Sequence, residues 1–363
     1  MPELYVGLMS GTSLDGIDAV IAEFGGTGIG LLHSHYQPFQ PQLRENLLEL
    51  QDEGRNELHR AATISNQLSH AYAAAVRTLL AQAGIGPAQI AAIGCHGQTV
   101  RHRPDAGYTL QLVNGALLAE LAGIAVVCDF RSRDIAAGGQ GAPLVPAFHQ
   151  QLFHDADRHR AVVNIGGIAN VTDLPPSGAV TGFDCGPGNL LLDAWIMEIL
   201  GKTYDENGAW STQGRVLPEL LEALLAHGFF RLPPPKSTGR EAFNLAWLKR
   251  TLTGAELAVD VQATLLELTA TGIARAISGH CSGAAEIYVC GGGARNQALI
   301  ARLRELLPGV KLDMTDALGV NAEWLEALAF AWLARQTLGG KPGNLPGVTG
   351  AKGPRVLGAI YPA

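Results

Sequence analysis

The stretch GLMSGTSLDGID, Gly7–Asp18, sets glycines, hydroxyls and two aspartates in a turn between the apolar runs LYVGL and DAVIAEF. Such flanks make it the tip of a strand-turn-strand unit. Glycine and hydroxyl groups suit phosphate, because backbone N–H groups at a hairpin tip form a concave nest without a lysine. No GxxxxGK[ST] run occurs, so P-loop chemistry is not expected. Asp15 and Asp18 would repel a phosphate but suit magnesium or its water shell. A lone glycine turn is as readily a mere tight connection, so the rest of the chain has to decide.

Two further turns do. RAVVNIGGIANVTDLP, Arg160–Pro175, is again an apolar strand, a glycine tip (Gly166, Gly167) and a second strand. EIYVCGGGARNQALI, Glu286–Ile300, joins a strand to a helix through Gly292 and Gly293. Three turns in this order point to a nucleotide, and a tip repeated at half-chain distance points to two related α/β domains facing each other across a cleft. Between the tips, Leu58–Ala83 has Ala, Leu and Val at helical spacing, and the runs IAAIGC and AGIAVVC read as buried strands. Strands alternating with helices imply a largely parallel, covered sheet. The expected division is 1–133 and 134–363, with the last segment packing back on the first domain. RLPPPKSTGREAFN, Arg231–Asn244, is a proline-stiffened loop between helices.

A chain of 363 residues is long for one core, and 47% hydrophobic residues permit fully buried strands and helices. Lys+Arg 26 against Asp+Glu 33 gives a net charge of −7, which argues against nucleic acid as a partner. The 45 glycines, about 12% against an average near 7%, belong to close backbone approaches. No basic leader opens the chain, and the longest apolar stretch, from Leu117, is broken by Glu120. No membrane span is therefore expected. Five cysteines without CxxC pairing read as buried free thiols in a reducing compartment, the cytoplasm. The oligomeric state is not decided, a homodimer being one option.

CHGQTVRHRP and CDFRSRDIAAGGQGAPLVP leave strand ends, where parallel sheets bind ligands. Thr99 and Arg133 there are candidates to bond a polar substrate, the guanidinium matching a carboxylate; stabilising their own loops is the alternative. His96 and His102 have no second pair to make a metal site. In GFDCGPGNLLLDAW, Asp184 stands at a strand end before a turn into a helix, a position for a general base. Capping that helix is its other possible duty, for which Asn189 is as good a candidate. Glu326 is an acid on an otherwise apolar helical face, which expects a substrate group, a metal or a basic partner.

With these motifs together the chain resembles the anhydro-N-acetylmuramic acid kinase family, within the sugar kinase, Hsp70 and actin superfamily. The likeness runs essentially end to end, through GLMSGTSLDGID, GCHGQTVRHRP, DFRSRDIAAGGQGAPLVP, NIGGIANVT, FDCGPGNLLLD, VCGGGARN, EALAFAWLA and GNLPGVTGA. It implies an α/β fold of two actin/hexokinase-like (ribonuclease H-like) domains flanking an ATP cleft. It further implies ATP with Mg2+, and 1,6-anhydro-N-acetylmuramic acid as the small-molecule substrate, phosphorylated on O6 and opened by water. Carried over, the pattern places ATP phosphate at Gly11, Thr12, Ser13, Leu14, Asp15, Gly16, Ile17 and Asp18, the sugar at Thr99 and Arg133, and the base at Asp184. A plain sugar kinase and a non-enzymatic actin-like ATP-binding protein are the rival classes.

Overall fold

The computed structural model describes residues 2–11, 14–25 and 28–363. Thr12 and Ser13, two of the expected phosphate contacts, lie outside the described residues. The chain forms two compact units, Met1–Phe148 with Trp324–Ala363, and His149–Glu323.

In the first unit β1 (Glu3–Met9), β2 (Gly16–Gly25), β3 (Gly28–Pro38), β4 (Ile90–Cys95), a ribbon of β5 (Gln98–Arg103) and β6 (Tyr108–Leu112), and β7 (Val126–Cys128) follow in sequence. The main sheet runs β3-β2-β1-β4-β7. β1 and β3 are antiparallel to β2, whereas β4 is parallel to β1 and to β7. The second unit holds β8 (Arg160–Ile165), β9 (Ile168–Leu174), β10 (Thr181–Pro187), β11 (Glu286–Cys290) and β12 (Lys311–Met314), ordered β10-β9-β8-β11-β12. Its pair directions repeat those of the first sheet strand for strand. β13 (Ala359–Tyr361) adds to β7 in the first unit. Each half is thus a ribonuclease H-like α/β unit. The sheets are mixed rather than largely parallel, because each opens with a meander of three strands whose first connection is a tight glycine tip.

The helix Glu57–Ala83 carries Ile64, Leu68, Tyr72 and Val76 at four-residue spacing, one apolar stripe buried in the first core. Gly84, at φ 66°, ends it in the left-handed conformation. The helix Leu325–Leu338 lies on β1 and β4 so closely that a Cβ on Gly7 would overlap the carbonyl of Ala327, and one on Gly94 that of Phe330. Those two glycines are what lets helix backbone rest on strand backbone. In the second unit Val163, Ile165 and Val171 pack with Leu265 and Leu268 of the helix Ala258–His280.

The units divide after Phe148, whereas the sequence expects a boundary at 133/134. Asp134 supplies the reason. Its buried carboxylate accepts from Gly141 N at 2.8 Å, Asn344 Nδ2 at 2.6 Å and Thr349 Oγ1 at 2.8 Å. Residues beyond 133 are thereby tied to the C-terminal segment, which itself belongs to the first unit. All five cysteines are buried free thiols. Among the described residues no helix is long and apolar enough to cross a membrane.

Candidate active site

In the first unit the hairpin tip is held from behind. Gly11 accepts through its carbonyl from Gln98 Nε2 (3.1 Å) and from Leu14 N (3.3 Å). Leu14 takes a left-handed φ of 59° with its side chain buried, and its carbonyl accepts from Arg44 Nε. Such backbone in a non-glycine residue persists only where its surroundings over-determine it. A Cβ on Gly16 would overlap Gln37 O, so this glycine serves the close pairing with β3. Ile17 is fully buried in the first core, paired with Gln37 of β3.

Asp15 is exposed and Asp18 half-buried. Burial first, and then the charges of Asp15 and Asp18, push the Tyr36 phenol above its ordinary pKa. Asp18 stands opposite Tyr36 in the register of β2 and β3. Among the described residues no group of three or more His, Cys, Asp and Glu could hold a metal.

The next loop supports the tip. His96 is buried, and burial, then the Arg131 charge, lower its pKa to about 3, so the ring is neutral. Arg131 donates to His96 Nε2 (3.0 Å from Nη2), leaving Nδ1–H to donate to Ser10 O at 3.3 Å. Arg131 also donates to Gly141 O at 2.8 Å. His96 is thus a bracket between the tip and the 131–141 loop, a duty the sequence did not reveal. On the same loop Arg133 is exposed and its guanidinium bonds none of the described residues, while Asp134 beside it is locked. Thr99 Oγ1 accepts from Gln111 Nε2 at 3.2 Å, and the Thr99 carbonyl from Gln51 Nε2. Glu326 stands half-buried in the first turn of the helix on β1 and β4.

The second unit brings its two glycine turns together. The carbonyls of Gly166 and Gly167 accept from Asn189 N and Gly188 N, each at 2.8 Å. Asn189 does not cap its helix through its side chain; Nδ2 reaches back to Ile165 O at 3.4 Å. A Cβ on Gly293 would overlap Ile165 and meet the Asn189 amide, and one on Gly292 would meet that amide too. Gly166, Gly167, Gly292, Gly293 and Asn189 therefore form one backbone-rich patch at the carboxyl ends of β8 and β11.

Beside it runs a row the sequence reading missed. Asn164 faces Asn170, and Asn170 faces Asp184, in the registers of β8, β9 and β10. Directly opposed residues share a sheet face, so two amides and one carboxylate lie in line. The signal was an asparagine on each side of the Gly166–Gly167 tip, Asn164 before it and Asn170 after it. Asp184 is 8% exposed. Its N–H donates to Lys236 O at 3.1 Å, and its Oδ2 accepts from Thr238 N at 2.9 Å. The proline-stiffened loop thus clips the carboxylate in place; a helix-capping duty for Asp184 does not arise, since the following helix starts from Asn189.

The family model for anhydro-N-acetylmuramic acid kinase matches residues 3–363. Anhydro-N-acetylmuramic acid kinase of Nitrosospira multiformis is 63% identical over 361 residues, with 99% of each chain covered. That of Nitrosomonas europaea is 60% identical, again over 99% of each. Among solved structures, the activator of 2-hydroxyisocaproyl-CoA dehydratase from Clostridium difficile with bound ADPNP matches at a TM-score of 0.46 and 12% identity. It covers 90% of this chain and 92% of that one. With a family model matched from residue 3 to the last and relatives at 60% identity or more over nearly the whole length, this chain belongs to the anhydro-N-acetylmuramic acid kinase family.

Proposed function

We propose that the chain is an ATP-dependent kinase of 1,6-anhydro-N-acetylmuramic acid that opens the anhydro ring with water and phosphorylates O6. The products are N-acetylmuramic acid 6-phosphate and ADP, and the setting is peptidoglycan recycling in the cytoplasm. Family membership supports the substrate. The geometric observation that carries the chemistry is Asp184, a buried carboxylate in a row of amides, oriented by a backbone N–H.

In the anhydro ring O6 carries no proton, so no base is needed there. The proton to be moved is on the attacking water. Asp184 takes it as the water oxygen bonds C1; the C1–O6 bond breaks, and O6 bonds the γ-phosphorus as ADP leaves. An inverting glycosidase needs a second carboxyl to protonate the leaving oxygen; here the phosphoryl group captures it. The backbone at Gly11–Asp18, Gly166–Gly167 and Gly292–Gly293 would cradle the nucleotide phosphates. Asp15 and Asp18 would hold magnesium, which when bound neutralises phosphoryl charge. Arg133 offers a fork-shaped cation to the lactyl carboxylate, with Thr99 and Glu326 on polar groups of the sugar. Thr12 and Ser13 complete the proposed tip.

The test is mass analysis of products made in ¹⁸O-labelled water by wild type and Asp184→Asn. Wild type should place one ¹⁸O at C1 and release ADP and ring-opened 6-phosphate in equal amounts. The variant should lose about 10²–10⁴-fold in both together, the scale of a general base. ADP made at wild-type rate with the sugar intact would overturn the assignment.

A further inference from the structure

We infer that Gln98 is a positioning residue for this reaction: its amide, buried at the head of the strand that carries Thr99, holds the backbone of the phosphate tip at Gly11, so that nucleotide phosphate and sugar are kept at one distance. The inference rests on the tip binding phosphate and Thr99 the sugar.

Three observations carry it. β1 and β4 pair in parallel as far as Leu8 and Cys95, where the backbone ladder closes with His96 N donating to Leu8 O at 3.0 Å. Beyond that point side chains take over. His96 Nδ1 donates to Ser10 O at 3.3 Å, Ser10 Oγ to Gly97 O at 3.2 Å, and Gln98 Nε2 to Gly11 O at 3.1 Å. The last of these three bonds reaches the tip itself. Gln98 is also the first residue of β5, so Thr99 follows it directly and presents its Oγ1 on the other face of the strand, beside Gln111. One side chain holds the tip, and the next stands toward the sugar.

The burial of Gln98 points the same way. It is 1% exposed, and its Oε1 has no hydrogen-bond partner among the described residues. A buried amide oxygen without a partner costs stability. Methionine has a similar length and would fill the space without that cost. Packing therefore does not account for an amide here, whereas the bond from Nε2 to Gly11 O does. Phosphoryl transfer supplies the need: reacting atoms have to stand about 3–3.5 Å apart, and a misplacement of about 1 Å can cost about 10²-fold. Gln98 ties the loop of one reactant to the strand of the other.

The experiment compares wild type with Gln98→Met and Gln98→Glu. Gln98→Met removes the donor together with the unpaired oxygen, while Gly11 O keeps its bond from Leu14 N. Its kcat should fall about 10–100-fold, with KM for ATP and for the anhydro-sugar within about threefold of wild type. Its urea midpoint should equal or exceed that of wild type, which a merely structural glutamine would not allow. Gln98→Glu keeps the shape. Burial raises the pKa of such a carboxyl, which offers Gly11 O an O–H donor when protonated and none when charged. Its kcat relative to wild type at the same pH should therefore rise as pH falls from 9 to 6. An unchanged kcat in Gln98→Met, a loss carried by either KM, a urea midpoint that falls, or a ratio for Gln98→Glu that does not rise would each overturn the inference. Wild type assayed on the anhydro-sugar separates the two ideas. No 6-phosphate there removes the kinase reading and this role with it; wild-type turnover beside an equally fast Gln98→Met removes only the role of Gln98.

Discussion

Replacing Asp134 tests how the substrate loop is held. Its carboxylate receives three donors, Gly141 N, Asn344 Nδ2 and Thr349 Oγ1, and is itself fully buried. Asp134→Ala leaves all three donors without that acceptor. A buried donor stranded in this way costs about 1–3 kcal/mol. The space vacated by the carboxylate admits water that can serve some of them, so the expected loss is about 3 kcal/mol, near the lower end of the sum. Asp134→Asn keeps one oxygen but turns an NH₂ toward donors, for about 2 kcal/mol. Because a chain of two units need not unfold in one step, the assay is native-state hydrogen exchange at Gly141 together with the denaturant midpoint. About 3 kcal/mol corresponds to roughly a 150-fold faster exchange if opening is local. Since Arg133 precedes Asp134, the KM for sugar should rise in the same variants while that for ATP changes less. Exchange at Gly141 within about twofold of wild type would refute the reasoning.

Arg133→Lys keeps the charge but loses the fork, so sugar binding should weaken by about 1.5–3 kcal/mol with ATP affinity hardly changed; titration calorimetry checks it, and an equal loss for ATP would make Arg133 a phosphate ligand. Stability should also fall in acid. His96 and His149 are buried with pKa values lowered from 6.5 to about 3, chiefly by burial. The unfolded chain takes up protons as pH drops through about 6.5 and the folded one does not until about 3, so stability present above the first value is lost across that window. Two such groups give a slope of at most about 2.7 kcal/mol per pH unit. Urea midpoints from pH 7 to pH 5 read it; His149→Gln should remove about half of their share, and an unaltered slope would exclude that histidine.

What could be read from the sequence is what chain neighbours dictate. A glycine tip between two apolar strands announces itself locally, and both tips, at Gly11 and at Gly166–Gly167, lie where their sheets begin. The helix at Glu57–Ala83 is legible for the same reason, its apolar residues recurring on one stripe. Features that depend on a partner far along the chain were not. The unit boundary moved because Asp134 is bonded to Asn344 and Thr349, more than 200 positions away. His96 shows no duty until Ser10 and Arg131 stand on either side of its ring.

The same distinction bears on the candidate base. Asp184 is visible in sequence as a carboxylate at a strand end, but a strand end alone makes neither a base nor a cap. Its environment comes from three separate places: the hairpin register that sets Asn170 opposite it, the glycine patch alongside β8, and the loop that bonds it through Lys236 and Thr238. That loop reads in sequence as a stiff connection because its prolines are local, while its contact with Asp184 spans some fifty residues. A buried acid is tolerable only where such remote groups compensate its charge, so the residues that make Asp184 useful are necessarily the ones its own neighbours do not reveal.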